Sequence, residues 1–326
     1  MRRFSAAGFS TEFARHAVLP DWWDASCAAD PALLSEIEIR IARFIQAPLT
    51  LVQDPKMSLA PPPYVGAQLR RVRDISKDRL APAIHAGLQI AAPVVRNMRE
   101  PERAVHLPSV DAIEWRSSIV REGDRLLLTD VLRDLWKRGI PVVHIDVLPS
   151  PSFQGLACIV EGRPIIVIGH SLDEPSRLAF TAIHEVCHIV NGDCRPNEPV
   201  VDEQEGVSDD HAIETRADEY AIAALTGGAA IPKLNVGNFK DLASAASHIE
   251  KTIGIDAGAV VWSWARRTGD YAKAAMATKA LYRAKGGMRA VREQFEQQVE
   301  VESAPESDRA LLRCVYGEPK RDALTG

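Results

Sequence analysis

Apolar residues recur at helical spacing along most of this chain and at strand spacing in one short central stretch. In residues 31–44 (PALLSEIEIRIARF), Leu33, Leu34, Ile37, Ile41 and Phe44 fall near one side, with Ile45 next to them, and predict an amphipathic helix. Pro31 after Asp30 suits its capped start. Residues 117–139 read as one helix that buries Leu126, Leu127, Val131, Leu135 and Trp136 and closes at Gly139. Residues 140–147 alternate and are β-branched, which predicts a strand. Residues 155–160 and 163–168 flank Glu161-Gly162 in a strand–turn–strand pattern. Asp173-Glu174-Pro175 opens a further helix, with acids in its first turn as the macrodipole prefers. Residues 181–192 (TAIHEVCHIVNG) continue it as an apolar helix ended by Asn191-Gly192, and 212–224 (AIETRADEYAIAA) hold good helix formers throughout. Residues 257–264 and 271–284 are Ala-rich and amphipathic, and another helix is predicted from 288 toward 299. The fold class expected is α+β, mostly helical, with a small central sheet.

Length and composition narrow the picture. A chain of 326 residues, 46% hydrophobic and 25% charged, can bury two or three cores. The expected division is a helical N-terminal region (1–108), a central domain around the hairpin (109–230) and a helical C-terminal region (231–326). Ala60-Pro61-Pro62-Pro63 marks a stiff connector within the first. A net charge of −5 supplies no global attraction to nucleic acid. Direct nucleic-acid binding stays open through Arg70, Arg71 and Arg73, for which a solvated helix face is the simpler reading. Residues 41–55 (IARFIQAPLTLVQDP) resemble the closing helix and tail of a repressor-type helix-turn-helix. A plain helical packing domain is preferred, because no pair of helices joined by a Gly turn precedes them. Cys27, Cys158, Cys187, Cys194 and Cys314 are odd in number and lack CxxC spacing, which points to reduced thiols in a cytoplasm. No apolar region follows Met1-Arg2-Arg3 as a secretory signal would need, and no apolar run nears the roughly twenty residues of a membrane span.

The chemistry concentrates in residues 181–224. His184, Glu185 and His188 form an H-E-x-x-H pattern. Residues four apart share a helical face, so both imidazoles can reach one metal ion, with Glu185 beside them as general base. Two imidazoles need a third ligand. Glu214 and Asp218, again four apart, offer one: Glu214 completes a His2Glu site for Zn2+ with a position left open for water. Asp218, one turn on, is placed to accept the free N–H of a ligating histidine, with His184 the candidate. A solvated acidic face around Arg216 is the plain alternative. Zinc would lower the pKa of water and polarise a peptide carbonyl, while Glu185 moves the proton to the leaving amine. His211, Tyr220 and His170 are candidates for a second oxyanion donor, though a structural role is the simpler reading for them and for His144.

These residues resemble the ImmA/IrrE family of zinc metallopeptidases. The matching elements are His-Glu-Val-Cys-His, the downstream Glu214-x-x-Ala217-Asp218 and Tyr220-Ala221, with GLACIVEGRPIIVIGHSLDEPSRLAF upstream as the strand pair and lead-in, over about residues 110–228. The resemblance implies that 109–230 is a zinc metallopeptidase domain with a zincin-like sheet packed on the metal helix. It also implies an intracellular enzyme. Many members cleave a helix-turn-helix repressor and so switch on genes for stress response, mobile-element transfer or defence. Cys187 departs from the family, which usually has Gly or another small residue there, and packing is its expected role. Residues 156–159 are expected as a sheet edge that takes substrate backbone as an added strand. The acidic path over residues 197–210, free of Lys and Arg, is expected near the cleft mouth, where it would favour a basic protein such as a DNA-binding repressor. The competing expectations are a helical regulator with a structural zinc and a toxin–antitoxin peptidase held by a partner.

Overall fold

The computed structural model describes residues 2–20, 22–62, 68–69, 77–196, 199–202, 211–281 and 286–316. The basic cluster at 70–73, most of the acidic path and the side chain of His211 lie outside the described residues. The chain begins with α1 (Arg2–Ala6), α2 (Thr11–Ala17), α3 (Pro31–Phe44) and α4 (Leu49–Gln53); a two-residue strand, β1 (Gln68–Leu69), precedes α5 (Lys77–Arg96). Asp30 starts α3 by accepting the backbone N–H of Ala32 at 2.8 Å, with Pro31 in the first turn.

The stretch expected as one helix over 117–139 is two, α6 (Ala112–Ile119) and α7 (Leu128–Lys137). The break is local. Gly123 takes φ 85°, a conformation that side chains disfavour, and Arg116 reaches across the turn to the Asp124 carbonyl. Asp130 then accepts the Leu127 N–H at 3.2 Å and begins the second helix.

β2 (Val142–His144) is shorter than the expected strand, and β3 (Gly155–Val160) and β4 (Arg163–Ile168) form the hairpin. α8 (Pro175–Val190), β5 (Val200–Asp202) and α9 (His211–Thr226) follow. The C-terminal helices are α10 (Phe239–Ile253), α11 (Ala257–Thr268), α12 (Tyr271–Leu281), α13 (Gly287–Gln298) and α14 (Glu306–Tyr316); α10 and α14 are additional to the elements expected from periodicity. The first turn of α8 carries no acid, contrary to expectation. Glu174 sits at its N-cap, and Asp173 turns away to serve α13, its Oδ1 accepting the Met288 N–H at 2.7 Å. A free helix start elsewhere in the fold competed for that carboxylate and won it.

The sheet is mixed, with order β1-β5-β3-β4-β2. β3 runs antiparallel to both β4 and β5, whereas β2 is parallel to β4 and β1 to β5. Residues 156–159 are therefore not an edge. Val200 and Val201 pair with Ala157 and Leu156, and Pro196 bridges Ile159, because the chain leaving α8 returns along that side. Alternate side chains face opposite ways along each strand. Val142, Ala157, Ile166, Ile168 and Val200 join the core of α6 to α12, with Val291 of α13. Val143, Leu156, Cys158, Ile165, Val167 and Val201 join a second core with α2, α3, α5, Phe295 of α13 and Leu312 of α14. Helices thus bury both faces, which is why the RPIIVI run of β4 is inaccessible from end to end. Among the described residues, no helix is long and apolar enough to cross a membrane.

Candidate metal centre

α8 lies across β3 and β4, with α9 packed on its other side. Such a helix must be apolar nearly all round, and its buried set runs almost unbroken from Ser176 to Ile189. Burial therefore extends to His184, Glu185 and His188, which are at most 1% exposed. Asn191 closes the helix, its Nδ2 donating to the Cys187 carbonyl at 2.8 Å. Gly192 follows at φ 71°, with nothing within 4 Å of where a Cβ would stand, so the backbone conformation alone calls for glycine. The reversed chain is tied by the Asp193 N–H to the His188 carbonyl at 2.9 Å, and this brings the Asp193 side chain under His188.

His184 and His188 stand one turn apart with ring centroids 5.0 Å from each other. Glu214, in the first turn of α9, faces both: Oε2 is 3.3 Å from His184 Nε2 and Oε1 is 3.2 Å from His188 Nε2. The other ring nitrogens face carboxylates as well. His184 Nδ1 is 3.0 Å from Asp218 Oδ1, and His188 Nδ1 is 3.0 Å from Asp193 Oδ2. Burial works to raise the pKa of Asp193, but hydrogen bonds from His188 and Arg216 outweigh it and hold the carboxyl below its ordinary value.

This arrangement fits a cation. A neutral imidazole that donates Nδ1–H to a carboxylate carries a lone pair on Nε2. Both lone pairs then face the oxygens of Glu214 in a buried place, acceptor against acceptor, which is favourable only with positive charge between them. Among the described residues, the donor atoms of His184, His188 and Glu214 all lie within 4.8 Å of one another, so these three can hold a metal ion. No protein-family model matches the chain, and no curated protein matches it. The geometry of the site therefore carries the functional reading.

Glu185 follows His184 on α8 and is fully buried. Its carboxylate packs on the backbone of Gly155, the first residue of β3. A Cβ there would overlap Oε1 and stand 2.8 Å from Cδ. Burial pushes the thiols of Cys158 and Cys194 up, and the negative charge of Glu185 adds to the effect in both. Both therefore stay thiols. Cys187 accepts from Asn191 Nδ2 at 3.3 Å and is outside the converging group. Tyr220 donates its hydroxyl to the Ser109 carbonyl at 2.7 Å and stacks on Trp115. His170 Nε2 meets Thr181 Oγ1 at 3.3 Å, and His144 Nε2 donates to the His170 carbonyl at 2.7 Å.

Two residues of the centre escaped sequence reasoning. Asp193 left a faint signal, as an acid just past the Asn-Gly that ends the metal helix. Gly155 left another, since a glycine inside a strand pattern marks a close approach.

Proposed function

We propose that this protein is a zinc-dependent endopeptidase of the ImmA/IrrE kind, acting in the cytoplasm on a DNA-binding repressor. The observation that carries the reading is the convergence of His184, His188 and Glu214 with a fully buried Glu185 beside them. Glu214 sets one carboxylate oxygen 3.3 Å from His184 Nε2 and the other 3.2 Å from His188 Nε2, and the donor atoms of the three residues lie within 4.8 Å of one another. A His2Glu set of nitrogen and oxygen donors is the donor chemistry of catalytic zinc. Glu185 places a buried carboxylate directly after the first histidine of the group, where a general base is needed, and a purely structural ion has no use for one. The packing of α8 across β3 and β4 supports the zincin-like comparison.

Zinc, when bound, would act as a Lewis acid that acidifies water and polarises the scissile carbonyl. The remaining work falls to the chain. His184, His188 and Glu214 hold the ion, while Asp218 and Asp193 orient the two rings. Glu185 accepts the proton of the attacking water and delivers it to the leaving amine. The floor formed by Gly155 keeps its carboxylate in place. The choice of a repressor as substrate rests on the resemblance of residues 110–228.

A second reading, a regulator in which the metal is structural or the peptidase is held closed, draws on one observation. Both sides of β3 are already paired along Gly155–Ala157, so an added substrate strand finds no edge there. One experiment separates the readings. Zinc-loaded protein is incubated with a panel of purified helix-turn-helix repressors and the products are sized. The peptidase reading expects one defined cut, lost by about a hundredfold or more in Glu185→Gln with zinc retained. Equal cleavage by that variant would refute the assignment of Glu185, and an uncut panel alongside full zinc occupancy would favour the second reading.

A further inference from the structure

The acids that hold the two imidazoles are themselves held. Asp193 offers Oδ2 to His188 and receives Arg216 Nη2 on both oxygens, at 2.9 and 2.7 Å. Asp218 offers Oδ1 to His184, and Arg266 Nη1 approaches its Oδ2 to 2.8 Å. The second contact is an ion pair whose N–H is not aligned along it. Arg216 belongs to α9, whereas Arg266 comes from α11, in the C-terminal region. α11 is seated beside the metal helix by aromatic contacts. Trp262 lies 6.4 Å from Phe180, Phe180 lies 6.1 Å from His184, and Arg177 stacks over Trp262 at 3.9 Å.

We propose that Arg266 and Arg216 are positioning residues of the metal centre, each fixing one histidine through one aspartate, so that the C-terminal region completes the site. A guanidinium stays charged and only donates, so the carboxylate it holds stays an acceptor. An acceptor opposite Nδ1 requires the proton on Nδ1, which leaves the lone pair on Nε2 facing Glu214. His184–Asp218–Arg266 and His188–Asp193–Arg216 are two copies of this arrangement built from different elements. Charge points the same way. Glu185, Glu214, Asp193 and Asp218 against Arg216 and Arg266 leave a formal charge of −2, which one divalent cation cancels. Glu219 lies 3.5 Å from Arg266 but is mostly exposed, and water screens it.

The assignment rests on the metal reading of the site and not on peptidase activity. The full chain is stripped with chelator, and the affinity for Zn2+ is measured by competition. Ring tautomers of the metal-free protein are read by nitrogen NMR. Arg266→Gln is expected to weaken zinc binding by about tenfold or more and to mix the tautomers of His184 while His188 keeps its own. Arg216→Gln should do the reverse. Arg266→Met, which keeps the packing of the stem, has to repeat the result and carries the test if Arg266→Gln does not fold. Asp218→Asn combined with Arg266→Gln should bind no more weakly than Asp218→Asn alone. Parent-like zinc affinity in the Arg266 variants, or a loss that disturbs both rings alike, would overturn the assignment and leave the metal reading standing. A parent chain that takes up no zinc would end both.

Discussion

Two pairs of buried histidines differ in their surroundings: His184 and His188 stand on α8, whereas His144 ends β2 and His170 follows β4 and meets α8 at Thr181. His144 and His170 are 6% and 7% exposed, almost as inaccessible as His184 and His188. Their partners differ. His144 Nε2 donates to a backbone carbonyl, and His170 accepts the Leu172 N–H at 3.3 Å on Nδ1 and meets a hydroxyl on Nε2. Burial first, then the charges of Arg177 and His144, hold the pKa of His170 down to about 3. The carboxylate near that pair, Asp146 at 3.2 Å from His144 Nδ1, is 43% exposed and screened by water. In the other pair every ring nitrogen faces a carboxylate. Burial alone therefore does not suit a histidine to hold a metal ion; the charge opposite its nitrogens does.

The largest effect should come from removing one histidine of each pair in turn. His184→Ala is expected to abolish zinc retention through gel filtration, whereas His170→Asn should keep one ion per chain. Equal retention by both variants would show that the carboxylates opposite the ring nitrogens do not set the two pairs apart. Next is the floor under Glu185. On the proposed peptidase reading, Gly155→Ala drives a methyl into its carboxylate and should lower cleavage by about a hundredfold, the order expected for a misplaced catalytic group, with zinc affinity unchanged in the same preparation.

Stability should depend on pH through His170. His170 ordinarily titrates at 6.5 and is held to about 3, so the folded chain binds fewer protons than the unfolded chain between those values. Its contribution to stability is fully present above 6.5 and is lost as pH falls toward 3. His85, buried against the Phe44 carbonyl and held to about 4, acts in the same direction. In urea titrations the loss of stability from pH 7 to 5 should be smaller in His170→Asn than in the parent by about 2 kcal/mol. An unchanged loss would show that His170 is not kept neutral. The smallest effect is at the turn that delivers Asp193. Gly192→Ala has room for its methyl but must hold a left-handed backbone. A cost of about 1 kcal/mol in thermal unfolding is expected.

Spacing by itself determined what one element can decide. His184 and His188 share a face because they are four apart on an apolar helix, and Glu214 and Asp218 share one for the same reason. The hairpin over 155–168 was legible because its period and its Glu161-Gly162 turn are local. Signals that depend on two elements were not legible. The single helix expected over 117–139 hid a turn at Gly123, since apolar residues of two helices can pass for one stripe. Residues 156–159 passed for an edge strand, because nothing in their own sequence tells that β5 returns beside them. Asp173 followed the wrong helix for a like reason: α13, more than a hundred residues on, claimed it. The partner that meets Asp218, Arg266, lies 48 positions further along the chain and has no periodic relation to it. Local geometry propagates only a turn or two along a backbone, so tertiary packing alone could set guanidinium, carboxylate and imidazole in line.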